Sequence, residues 1–253
     1  MVVTELAAAS TAFRDAGFTV TPGGRHDGIP TENALVAFAD GSYLELLAMR
    51  ERPARDELRR LRAGPRWEAH LRGASAIARR FLPRLAGPDG VGDACLRAAR
   101  LARFAAESRR RGFAFAGPVA MRRERRTGAA LAWELLLPAD DALPFLIEDR
   151  TPRAERVSGD AAATAHGNGA RGIAGLELRS RDPARTALAC VELFGARARA
   201  LPDGGTRLGF AGLELRLGAG EPEGACGVLL AGIASLPAGL AALGIRGEAD
   251  GGD

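Results

Sequence analysis

Three times along the chain a run of helix-forming residues ends in a glycine and an extended segment begins at the next residue: Phe13–Val20 (FRDAGFTV), Ser108–Phe115 (SRRRGFAF) and Val191–Ala198 (VELFGARA). A glycine there accepts the left-handed conformation that closes a helix, and a strand can follow without a spacer. The irregular spacing of the three copies points to duplicated modules and not to a solenoid, whose repeats recur at a fixed period.

Reading outward from these junctions gives an α+β chain. In the first module, residues 1–50, the helix is expected over Ala7–Ala16 and strands over Phe18–Pro22, Ala34–Ala39 and Tyr43–Met49, with Asp40-Gly41 as a hairpin turn. Alternation on the last strand puts Tyr43, Glu45 and Leu47 on one face and Leu44, Leu46 and Ala48 on the other. Residues 51–89 read as an arginine-rich helical linker, broken at Gly64-Pro65 and closed at Gly87-Pro88. In the second module, residues 90–152, a strand at Gly92–Arg97 and a helix at Arg100–Arg111 precede strands at Phe113–Arg122, Ala130–Leu137 and Pro144–Glu148. A third unit, residues 153–218, repeats the order with a strand at Gly172–Arg179, a helix at Pro183–Phe194 and short strands at Arg197–Leu201, Thr206–Phe210 and Leu213–Leu217. Residues 219–253 form an Ala/Gly-rich C-terminal segment.

With 253 residues, 47% of them hydrophobic, the chain can bury a sizeable core. No apolar run reaches the length of a bilayer, and the N-terminal residues lack the basic-then-apolar order of a signal peptide, so a cytoplasmic protein is expected. Cys95, Cys190 and Cys226 are scattered in apolar surroundings and read as buried free thiols. Every basic residue is arginine, and the stretch from Arg50 to Arg126 holds well over half of the 35 basic residues. It has no stacked-aromatic pattern of a single-strand binder and no helix-turn-helix or zinc-finger spacing, so it reads as solvated helix faces; nucleic acid is not an expected partner. Gly-x-Ser-x-Gly, phosphate-loop and His-Glu-x-x-His motifs are all missing from the sequence, and the glycines of GPDGVGD lack the strand-to-helix setting of a dinucleotide fingerprint.

The segment AGFTVTPGGRHDGIPTENALVAFADGSYLELLA, Ala16–Ala48, resembles the signature of the glyoxalase-like domain of the vicinal oxygen chelate superfamily. It carries a Gly-Gly-x-His loop, a Thr-x-Asn and a Tyr-Leu-Glu-Leu strand. GPVAMRRERRTGAALAWEL with LPFLIEDRTP resembles the family's arginine-containing hairpin and Pro-Phe-x-Ile strand, and HGNGARGIAGLEL its His-x-Asn-Gly segment. The resemblance runs from about Glu5 to Leu217. It implies repeated βαβββ modules forming curved mixed sheets around a cleft, with the helical linker as an insertion. Two features depart from the pattern. Only Met1–Thr4 precede Glu5, so the metal-binding histidine of the family's first strand has no counterpart, and Ile29-Pro30 stand where a glycine is more usual before the threonine.

The resemblance further implies a divalent metal, either zinc, nickel, iron or manganese, that polarises a substrate's vicinal oxygens. Of the three histidines, His26 and His166 are the candidate nitrogen ligands, while His70 on a charged helix reads as solvated. Glu45 is the candidate catalytic group and metal ligand, and Glu214 in the third unit the next oxygen donor. Glu148 is offset by one residue and turns to the opposite face; Asp93 reads as a solvated loop acid. Thr31, Asn33, Tyr43, Arg122 and Trp133 are the candidate substrate contacts. Arg123 and Arg125 share Arg122's hairpin, and adjacent strand residues cannot all point inward. The expected function is that of a glyoxalase-like lyase, isomerase or dioxygenase acting on a small molecule. One alternative is a metal-free binding or resistance protein on the same fold; a second is an interaction protein using residues 50–126. A short first strand would leave a sheet edge unpaired, and a homodimer is one way to cover it.

Overall fold

The structure, a computed structural model, describes residues 1–26, 29–124, 130–210 and 212–248. Its first unit contains α1 (Leu6–Asp15), β1 (Thr21–Arg25), β2 (Thr31–Ala37) and β3 (Tyr43–Met49), followed by helices α2 (Arg52–Ala63), α3 (Trp67–Gly73) and α4 (Ala76–Leu85). The second contains β4 (Cys95–Arg97), α5 (Leu101–Arg110), β5 (Phe115–Glu124), β6 (Ala130–Pro138) and β7 (Phe145–Asp149). Two single-turn helices, α6 (Arg153–Arg156) and α7 (Ala161–Thr164), lead to β8 (Gly172–Ser180), α8 (Pro183–Phe194), β9 (Arg197–Ala200), β10 (Thr206–Phe210) and β11 (Leu213–Ala219). The chain then adds β12 (Gly224–Ala231), α9 (Ala238–Ala241) and β13 (Ile245–Glu248).

The α+β architecture of curved mixed sheets follows from how these elements pair. Three sheets form, in the orders β1-β2-β3, β4-β7-β6-β5 and β13-β12-β8-β11-β10-β9. In the second and third units the strand before the helix pairs in parallel with the last strand of the unit, β4 with β7 and β8 with β11. The N-terminus does the same in miniature, where Val2 bridges Leu47 in parallel. Val2 also exchanges both backbone hydrogen bonds with Gly90 at 2.9 Å. The β3 edge at Leu47 is therefore covered from within the chain, which removes the reason for invoking a second subunit there. The junction glycines behave as the sequence predicts: Gly17, Gly112 and Gly195 follow α1, α5 and α8 at φ of 85°, 88° and 67°. The C-terminal segment is more ordered than its Ala/Gly composition implies. Its apolar residues Val228, Leu230 and Ile245 are buried against Phe13, Val36 and Leu46 of the first unit.

Three helices, one per unit, each seal the outer face of their own sheet: Phe13 of α1 under β2 and β3, Leu101 and Ala105 of α5 under β6 and β7, Cys190 and Leu193 of α8 under β10 and β11. The arginine-rich linker differs from the expected solvated helices. Arg55 is 1% exposed; it donates to the carbonyls of Leu85 and Gly87 at 3.0 Å and to Thr4 Oγ1 at 2.6 Å, and it pairs with Asp89 at 2.8 Å. Arg80, 3% exposed, makes a two-pronged bond to Asp93 at 2.8 and 2.7 Å, and Arg84 meets the same carboxylate at 2.9 Å. Asp93 is thus a half-buried counter-ion and not a solvated acid. A guanidinium removed from water must have its protons satisfied, and here carbonyls and aspartates do it for all but Arg80 Nη1, which is buried without a hydrogen-bond partner, 3.9 Å from Asp141. The linker is in this way fastened to the N-terminus and to the approach to β4.

Removing one partner of such a buried pair strands the other. Arg55→Ala is expected to lower unfolding free energy by about 3 kcal/mol or more, measured by urea denaturation, whereas exposed Arg66→Ala should change it by less than about 0.5 kcal/mol.

Candidate functional site

The two-residue period of β3 decides what faces the cleft. Leu44, Leu46 and Ala48 are buried on the α1 side, so Tyr43, Glu45 and Leu47 turn the other way. On β2 the same rule points Thr31, Asn33 and Leu35 to that side. Across from them the second sheet presents Met121 and Arg123 of β5, Trp133 and Leu135 of β6, and Phe145 and Ile147 of β7, while Ile77 and Phe81 of α4 close the top. These residues enclose a cavity of 110 Å³ with mostly apolar walls.

One pole of the cavity is a hydrogen-bonded set. Asn33 Nδ2 donates to Glu45 Oε1 at 2.5 Å, and Arg123 Nη1 donates to Asn33 Oδ1 at 3.3 Å. A carboxylate only accepts and a guanidinium only donates, so the pair fixes which way the Asn33 carboxamide faces. His26 Nε2 lies 3.6 Å from Glu45 Oε1, and its Nδ1 is 3.0 Å from Thr31 Oγ1. The Gly23-Gly24 pair makes this closeness possible. A Cβ on Gly23 would stand 2.0 Å from Asn33 Oδ1, and one on Gly24 would stand 3.0 Å from Arg123 Cδ. The sequence places these glycines in a loop; they lie instead in β1, beside a bulge, with their bare faces against the site.

The other pole is built on Arg156. Its guanidinium grips Asp149 at 2.6 and 3.1 Å and donates to Tyr43 Oη at 2.8 Å. It also lies 5.5 Å from the Tyr43 ring centroid and 6.0 Å from that of Trp133. Burial pushes the Tyr43 hydroxyl up to about 12, against the opposing effect of Arg156. The phenol therefore stays protonated, and with Arg156 donating to its oxygen it keeps its own O–H for a ligand. Burial likewise pushes the Cys95 thiol up, so it stays a thiol in the cavity wall.

Of the residues singled out in the sequence, His26, Thr31, Asn33, Tyr43, Glu45 and Trp133 meet around this cavity. Arg122 does not, because Arg123 takes the inward position on β5 and leaves Arg122 exposed; Arg125 lies outside the described residues. His166 is elsewhere: its Nδ1 accepts from the Thr19 backbone N–H at 3.0 Å and its Nε2 donates to the Ala37 carbonyl at 3.0 Å. Both ring nitrogens are spent holding the loop before β8 to the first unit. Glu214 sits on β11 in the third sheet and pairs with Arg207 at 3.2 Å. Glu148 does turn away, accepting the backbone N–H groups of Arg100 and Leu101 at 2.9 Å where α5 begins. His70 stacks on Trp67 with centroids 6.2 Å apart. Arg156 was not foreseen; it follows a proline in an arginine-rich turn, and only the long-range approach to Tyr43 and Asp149 distinguishes it.

The residues present do not fit the divalent metal that the sequence resemblance implies. Among the described residues no three His, Cys, Asp or Glu side chains converge. His26 and Glu45 come together with Asn33 and Thr31 in place of further ligands, and the Arg123 cation occupies the same cluster, where it would repel a second cation.

A family model described as a glyoxalase-like domain matches residues 1–194. No curated protein matches the chain. Among solved structures, the chain is similar to a hypothetical protein from Staphylococcus aureus, with a TM-score of 0.68 at 17% identity over 92% of this chain and 89% of that one. A xylose isomerase-like TIM barrel/4-hydroxyphenylpyruvate dioxygenase fusion protein aligns with a TM-score of 0.47 at 14% identity, over 89% of this chain and 34% of that one. No helix among the described residues is long and apolar enough to cross a membrane.

His166 carries a pH signature. Burial lowers its pKa from the ordinary value of 6.5, partly offset by the bond to Ala37. The unfolded chain takes up a proton first as pH falls, so His166 contributes stability above its unfolded pKa, and that contribution is lost as pH drops through the lower folded value. Melting temperature should fall between about pH 7.5 and about pH 5.5 in the parent protein, and less steeply in His166→Gln. Equal slopes would remove the assignment.

Proposed function

Because the chain belongs to the glyoxalase-like domain family, we propose that it acts on a small molecule in the cleft between its first two units, with Glu45 as the group that moves a proton there. The carrying observation is the way Glu45 is held. One oxygen is fixed by Asn33 at 2.5 Å with His26 beside it, while Oε2 has no hydrogen bond among the described residues and the side chain is 36% exposed toward the cavity. A carboxylate oriented by one oxygen and open at the other has the form of a general base. Arg123, acting through Asn33, and His26 offer positive charge and hydrogen-bond donors where negative charge would grow on a carbonyl oxygen of the ligand. Trp133, Phe145 and Ile147 supply the apolar surface that excludes water. The reaction this set supports is removal of a proton from carbon next to a carbonyl. No step is assigned to a metal.

A second reading, binding or sequestration without chemistry, is favoured by the apolar lining and by the neutral Tyr43 and Cys95 side chains, which would serve recognition alone. One experiment separates the two. A thermal-shift screen of small carbonyl, thiol-adduct and aromatic diol compounds, with and without EDTA, supplies a ligand; stabilisation that EDTA does not alter is expected. Proton NMR in deuterated water then follows exchange at carbon beside the carbonyl. Glu45→Gln should slow that exchange about a hundredfold or more while affinity changes only a few fold. Tight binding with no exchange in the parent protein would overturn the catalytic reading, and a divalent ion retained stoichiometrically would overturn the metal-free one.

A further inference from the structure

The cleft cavity is not the whole of the enclosed space. A second chamber of 460 Å³ adjoins it, and Tyr43, Glu45, Cys95, Phe145, Ile147 and Arg156 line both. Its position follows from the sheet orders. β3 and β4 are terminal strands of their respective sheets and do not pair with each other, so the curved wall around the cleft is open between them except where Val2 bridges Leu47 and Gly90. The chamber occupies that opening, with Leu44 and Leu47 on one side and Ala94 and Leu96 on the other. The third unit closes its far side with Ile173 and Leu176 of β8, Leu213 of β11 and Val228 of β12.

Size and charge decide what the chamber could hold. Small-molecule sites run from about 300 to 1,000 Å³; the cleft cavity at 110 Å³ takes only a fragment, whereas 460 Å³ lies within that range. The third-unit wall is aliphatic, which suits a chain or ring and not a polar body. Four arginines line the chamber, and three are engaged: Arg84 with Asp93, Arg153 with the Gly41 carbonyl, Arg156 with Asp149. Arg97 is exposed and has no ion-pair partner among the described residues.

We propose that the second chamber is a ligand subsite built by the third unit, and that the ligand is an elongated amphiphilic acid: a compact end in the cleft cavity, an apolar body against Ile173, Leu176 and Leu213, and a negative terminus at Arg97. The proposal rests on the reading that the cleft binds a small molecule. It gives the third unit a role at the site although Glu214 does not line the cleft cavity.

The probes are unbranched monocarboxylates of about four to about twelve carbons and the matching primary alcohols, titrated calorimetrically against the full chain. Affinity should rise about fourfold per methylene until the chamber is filled, with acids about tenfold tighter than alcohols. Arg97→Gln should erase the acid preference and keep the length dependence. Leu213→Trp and Ile173→Trp, both at half-buried positions, should flatten the length dependence; either one with a parent-like circular dichroism spectrum suffices. Absence of a length dependence, its survival in a folded Trp variant, or an acid preference unchanged in Arg97→Gln would each overturn the subsite. Trp133→Ala distinguishes the two readings. Short carbonyl ligands that depend on Trp133 alongside a flat acid series would sink the subsite and leave the proposed function standing. A length-dependent acid series without exchange chemistry at Glu45 would do the reverse.

Discussion

A strand can bury only one of its faces under a helix, and β3 commits that face to Leu44, Leu46 and Ala48. Everything at the site depends on this commitment. With those three residues under α1, the intervening Tyr43 and Glu45 must enter the cleft, and a shift of one residue in register would exchange the two sets. The hydrophobic gain that holds β3 in place therefore also meets the cost of keeping a carboxylate next to apolar walls. Asn33 reduces that cost by donating to the carboxylate, and Arg123 in turn saturates Asn33. The polar pole is a chain of donors and acceptors in which each member's orientation follows from the last.

The same reasoning explains an interior unusually rich in guanidinium groups. Arg55, Arg80 and Arg123 are each 5% exposed or less. None is isolated: Arg55 and Arg80 meet carbonyls and aspartates, Arg123 a carboxamide. A guanidinium spreads its charge over a planar fork and can satisfy several acceptors at once, which lets it tie separate segments together where a lysine would reach only one point. Arg55 joins the linker to the N-terminus, and Arg156 joins the turn after β7 to β3. Composition alone had read the basic stretch as solvent-facing, because charge counts carry no information about which carbonyls end up within reach.

What could be read from the residues was what is local. Helix-to-strand junctions at Gly17, Gly112 and Gly195 are decided by a few neighbouring residues, and the helix at Pro183–Phe194 and the strand at Tyr43–Met49 have the bounds that their patterns imply. The cleft residues of the first unit were legible for the same reason, since strand alternation points at Glu45 and a family-like motif at both Glu45 and Asn33. His166 and Glu214 were not, because their partners Thr19, Ala37 and Arg207 are set by tertiary packing or by strand pairing. Strand β12 escaped notice because GACGVLLA has little alternation: paired on both sides, it buries most of both faces. The choice between Arg122 and Arg123 turned on a single residue of register across the β5–β6 hairpin, which the sequence leaves open.

The ordering of the sheets has one more consequence. Strands β1 and β5 face each other where the first two units meet, yet among the described residues they belong to separate sheets and share no backbone ladder. What joins them at the site is side-chain contact, Arg123 lying over Gly24 and bonding to Asn33. Among the described residues no main-chain hydrogen bond crosses between β1 and β5, so the fit of the two walls here depends on side chains. Arg123 is the side chain that bridges this seam.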